Sequence, residues 1–121
     1  MSIQRSNEWG KDIADAEKIG NYYEVSTTAL DHNNDFIQFY IRQDGNRFLF
    51  SDDGDTLSAL ESEGVFLSQK VREGIAETLH QYDAKLEGDA LTAESSVAEY
   101  PQTKKKFIQA MMKVDGLSDK L

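Results

Sequence analysis

Residues 36–51, FIQFYIRQDGNRFLFS, decide the fold. Ile37, Phe39 and Ile41 fall on one side of an extended chain and Gln38 and Arg42 on the other, the two-residue period of a half-buried strand. Asp44-Gly45 supplies the positive φ angles of a tight hairpin turn, and Phe48 and Phe50 return in phase on a second strand. Upstream, YYEVSTTAL (22–30) alternates Tyr23, Val25, Thr27 and Ala29 against Tyr22, Glu24, Ser26 and Thr28, which adds a strand before the hairpin. Together these form an antiparallel meander.

Helical periods flank it. Trp9, Ile13 and Ala16 are spaced for a short amphipathic helix that Gly20 would end. Leu57 and Leu60 define a second helix, stopped by Gly64, and Val71, Ile75, Leu79 and Tyr82 a third. Pro101 suits the first turn of a last helix that buries Phe107, Ala110, Met111 and Val114. Between these helices, AKLEGDALTAES reads as a small C-terminal hairpin around Glu87-Gly88-Asp89. The expected class is α+β: a three-stranded antiparallel meander packed with about four helices, plus that hairpin, in a single domain over 1–121.

The chain has 121 residues and no cysteine, so it offers neither a disulfide framework nor a thiolate metal site. No segment approaches the roughly 18 apolar residues of a membrane span, and MSIQRSNEWGKD lacks the apolar core of a signal peptide. A soluble cytoplasmic protein is expected. Its 22 acidic and 13 basic residues give a net charge of -9, which disfavours direct binding to nucleic acid and favours basic surfaces. The acidity is concentrated in residues 31–63, where eight acids face two bases. The TKKKF run (Lys104, Lys105, Lys106) is the one basic cluster, read as a solvated helix face.

Chain direction in the meander says which loops are neighbours. The turn DHNND (31–35) lies at one end of the sheet, and the strand ending at Ser51 runs back toward that end with SDDGDTLSAL behind it. Asp31, Asp35, Asp52, Asp53 and Asp55, with His32, should therefore share one rim. Capping of the following helix accounts for Asp55 or Thr56, and Gly54 for a turn, but not for five carboxylates. The surplus suits a basic protein partner, with Tyr22, Tyr40, Trp9 or Phe66 as aromatic anchors where exposed.

A divalent ion is the alternative. Asp31, Asp35, Asp52 and Asp53 are hard oxygen donors suited to magnesium, manganese or calcium. An EF-hand is excluded, because Phe36 stands where the loop needs glycine and Arg42 where it needs a bidentate glutamate. Asp83-Ala84-Lys85 is a weak match to the acid-x-lysine strand of nucleases. His80 sits beside a helix stripe as a boundary residue, and no Gly-x-Ser-x-Gly turn accompanies the serines.

LDHNNDFIQFYI, LFSDDGDTLSALESEG and YPQTKKKFIQAMMKVDGL carry a resemblance. The pattern is Asp31 and Asp35 before Ile37-Gln38 and Tyr40, then Asp52-Asp53-Gly54 with Thr56-Leu57, Leu60 and Gly64, and a closing Gln109-Ala110-Met111. It resembles a family of small bacterial and phage proteins described as domain of unknown function 1828. The resemblance implies no established catalytic activity, and it looks like a module of prophages and mobile elements. The expectation is a non-enzymatic phage or mobile-element protein without cofactor. By analogy of class and charge, it would inhibit a basic nucleic-acid-handling host protein, in the manner of an anti-CRISPR or other anti-defence DNA mimic. The alternatives are a magnesium- or manganese-dependent nuclease or phosphodiesterase and a stand-alone regulatory domain.

Overall fold

The structure is a computed structural model that describes residues 16–119, with side chains described over 20–117. Strands β1 (Ala16–Ile19), β2 (Tyr22–Leu30), β3 (Phe36–Asp44) and β4 (Arg47–Ser51) follow one another. Helices α1 (Asp55–Ser62) and α2 (Gln69–His80) come next, then strands β5 (Lys85–Glu87) and β6 (Ala90–Ser96), helix α3 (Tyr100–Asp115) and a short 3-10 turn (Gly116–Asp119). The class is α+β, as the clustering of strands in the sequence indicates.

The sheet is larger than a three-stranded meander. Six strands pair antiparallel in the order β1-β2-β3-β4-β6-β5, so the Lys85–Glu87 hairpin is no separate appendage: β6 docks along β4, with Phe50 opposite Ala93 and Ser51 opposite Thr92. A second correction concerns the N-terminal helix. Its last turn, Ala16–Ile19, is a strand paired with Tyr22–Val25 across the Gly20 turn, while Trp9 and Ile13 lie outside the described residues. Ladder hydrogen bonds outweigh so short a helical period. The described residues hold three α-helices, the second, third and last of those expected; the first would fall largely outside the described residues.

One face of the sheet is covered. Ile37, Phe39 and Ile41 alternate with exposed Phe36, Gln38 and Arg42, and the inward set meets α3 through ring contacts of Phe39 and Phe50 with Phe107 (centroids 5.4 and 5.5 Å). Tyr100, 1% exposed, closes the aromatic cluster against Phe48 and Phe50. Leu57 and Leu60 of α1, Ile75 and Leu79 of α2, and Ala110 and Val114 of α3 complete the core. This burial drives folding; each large apolar side chain contributes about 1.5–3 kcal/mol. The opposite face carries Tyr22, Glu24, Tyr40, Arg42, Leu49 and Thr92, and no described helix covers it. No described helix is long and apolar enough to cross a membrane.

Candidate functional site

The five aspartates meet at one end of the sheet, but they do not form one rim. Register explains the split. Tyr40 pairs with Ser51, so β3 outruns β4 and the chain leaves the sheet level with Phe39 rather than with the Asp31 turn. Asp52, the first residue out, turns inward and is fully buried. Its Oδ1 accepts from the backbone amides of Gly54 (2.9 Å) and Leu91 (2.8 Å), and its Oδ2 from that of Thr56 (3.0 Å). It caps α1 and ties that helix to β6. Gly54, at φ 82, supplies the left-handed turn this wrap needs. The sequence reading placed Asp52 on a partner surface; it has no surface to offer.

Asp53, also left-handed at φ 57, is exposed and points along the open face. There it lines a groove of about 510 Å³ with Tyr22, Tyr40, Arg42, Leu49 and Ser51. Asp55, at the first position of α1, faces the end of the sheet and shares a smaller cleft with Asp31, Phe36 and Gln38. Asp31 organises its own turn: Oδ1 accepts from the amides of Asn33 (2.8 Å) and Asp35 (3.0 Å). Asp35 is exposed at the mouth of that turn.

The charges that remain outside act on each other. Burial and then the carboxylates of Asp52, Asp53 and Glu24 push the Asp55 carboxyl upward. The Tyr40 phenol is pushed upward by burial first and then by Asp55, Glu24 and Asp53. Glu24 belongs to this field through the open face, since it pairs with Tyr40 in the ladder. Among the residues with described side chains, no Lys or Arg forms an ion pair with Asp31, Asp35, Asp53, Asp55 or Glu24; the cationic pairs are Arg47–Glu94, Arg72–Asp89 and Lys106–Asp83.

His32 has a different role from the aspartates beside it. Its Nδ1 lies 2.8 Å from Asp115 Oδ1 and its Nε2 3.1 Å from Glu63 Oε1, while its backbone amide donates to Asp115 Oδ2 (2.9 Å). Hydrogen bonding to Glu63 and then to Asp115 lifts its pKa to about 9, so it is an imidazolium at neutral pH with both nitrogens donating. It locks the β2–β3 turn to the ends of α1 and α3. The sequence reading missed Asp115 and Glu63. One signal was available: an aspartate in the last turn of a helix opposes the macrodipole and calls for a nearby cation.

Neither metal reading gathers support from this geometry. Among the described residues no three Asp, Glu or His side chains converge to hold a metal ion. Asp83, the acid of the acid-x-lysine tripeptide, is engaged by Lys106 of the TKKKF run (2.6 Å), which lowers its pKa; the pair is an exposed one between α3 and the α2–β5 connection. His80 is exposed in the last turn of α2. Of the expected aromatic anchors, Tyr22 and Tyr40 are half-buried, Phe66 is 83% exposed and Trp9 lies outside the described residues.

A family model, "Domain of unknown function DUF1828", matches residues 27–114. The chain belongs to the DUF1828 family. The match spans β2 to α3, and so includes both aspartate-bearing loops of this DUF1828 domain. No curated protein and no solved structure matches the chain.

Proposed function

We propose that this DUF1828 protein is a non-enzymatic, cytoplasmic inhibitor of phage or mobile-element type. It binds a basic nucleic-acid-handling host protein, such as a defence nuclease, in place of the nucleic acid. The observation that carries this reading is the cluster of Asp53, Asp55 and Glu24, which no Lys or Arg with a described side chain pairs, and whose charges add to burial in raising the Asp55 carboxyl and the Tyr40 phenol. A surface of one sign, unpaired by any Lys or Arg among the described side chains, steers a partner of the opposite sign and imitates a phosphate row. Asp31, Asp35, Asp53 and Asp55 are the contact residues of this proposal; Asp52 holds the loop that presents two of them.

Affinity capture from host cells followed by mass spectrometry tests it. The wild-type chain is expected to retain a basic DNA- or RNA-handling protein. The D35N/D53N/D55N variant, with Asp52 intact, is expected to lose it. Equal retention by the variant would sink the proposal.

A further inference from the structure

We infer that the groove on the open face of the sheet receives a single arginine side chain of the partner, stacked on the Tyr22–Tyr40 corner and paired with Asp53. This rests on the reading above and names its anchoring contact. The two tyrosine rings stand edge to face, with centroids 5.6 Å apart and planes at 84°, so they form a corner rather than a closed stack. Both are half-buried, which holds the rings in place while leaving them reachable from the groove. A cation over a tyrosine ring is attracted by the ring's electron-rich face, and a planar guanidinium can stack there while donating to a carboxylate at its edge.

The ladder sets the order of groups along the groove. Arg42 pairs with Leu49, Tyr40 pairs with Ser51, and Asp53 lies two residues beyond Ser51. An acceptor therefore stands on one side of the aromatic corner and a cation on the other. The same carboxylates that hinder ionisation of the Tyr40 phenol, Asp55, Glu24 and Asp53, favour an entering cation and repel a phosphate. Arg42, which has no ion pair among the described side chains, opposes a second cation at the far end, and the groove's other carboxylate, Glu87, already accepts from the Thr92 hydroxyl (3.0 Å), so Asp53 is the acceptor beside the aromatic corner.

The test is an NMR titration of the isotope-labelled full chain with a capped Gly-Arg-Gly tripeptide, and with Gly-Lys-Gly for comparison. Saturable shifts are expected at Tyr22, Tyr40, Ser51 and Asp53, with the lysine peptide roughly threefold weaker or more. Y40L and D53N should each weaken the arginine peptide about fivefold, Y40F should leave it within about twofold, and R42Q should tighten it about twofold. Well-dispersed spectra of each variant will show that it is folded. Binding unaffected by both Y40L and D53N would overturn the inference. Shifts confined to Asp31, Asp35 and Asp55 would overturn the groove while leaving the acidic surface standing; no shifts anywhere would count against both.

Discussion

Asp52 and Asp53 are adjacent and chemically identical, yet one is a fixture of the core and the other a surface charge. The difference is backbone: Asp52 continues the inward side of the chain as it leaves β4, and Asp53 turns left-handed and outward. Replacing Asp52 by alanine strands the amides of Gly54, Thr56 and Leu91, two of them in buried surroundings, and should cost about 3 kcal/mol in urea unfolding. D53N, by contrast, should change stability by less than about 0.5 kcal/mol. A sequence cannot separate the two, because both precede a glycine and the register of β4 against β3 decides which one turns in. His32 adds a pH dependence whose sign is fixed. Its folded pKa of about 9 lies above the unfolded value near 6.5, so its stabilisation is complete below about pH 6.5 and is lost as pH rises through 9. The thermal midpoint of the wild type should fall across that window relative to pH 6, and H32Q should flatten the fall.

At the level of elements, the strands of the opening hairpin were legible because two-residue alternation of large apolar groups has one reading. Helices α1, α2 and α3 were legible for the same reason at their own period. What was not legible is pairing between distant segments. Of the inward residues of β6, Ala93 is small and Ser95 polar, so the segment does not announce a central strand, and their partners on β4, Phe50 and Phe48, lie more than forty residues earlier. Ala16–Ile19, four residues long, is shorter than any period that could tell helix from strand. Strand direction in the meander brings Asp31 and Asp55 to one cleft, but residue alternation carries no sign that β3 outruns β4, which sends Asp53 to the open face. Gly74 offers a clean test of the helix energetics. It sits inside α2 with open space where a Cβ would go, so G74A should stabilise the protein by about 0.5–1 kcal/mol, read as a shift of the urea midpoint with unchanged slope.

The whole molecule carries -9, and among the described side chains the Lys and Arg ion pairs lie away from the acidic end: Arg47, Arg72 and Lys106 pair with Glu94, Asp89 and Asp83, while His32, the cation beside Asp31, is held by Glu63 and Asp115. The uncompensated charge is therefore local as well as net. Aromatic and apolar groups lie within and beside it, Tyr22 and Tyr40 in the groove and the cross-strand pair Leu30 and Phe36 (44% and 62% exposed) at the sheet end. Charge of this kind should govern encounter and apolar contact should govern lifetime. Raising salt from about 0.1 to 0.5 M should thus slow association with a basic partner by tenfold or more while changing dissociation far less, as surface plasmon resonance would record. The most direct measurement is competition: the partner protein bound to labelled DNA, titrated with the wild-type chain and with D35N/D53N/D55N. Displacement of the DNA by the wild type and at least about tenfold weaker displacement by the variant is the expected result. A complex that holds DNA and this protein together, or displacement that the variant performs equally well, would contradict the account.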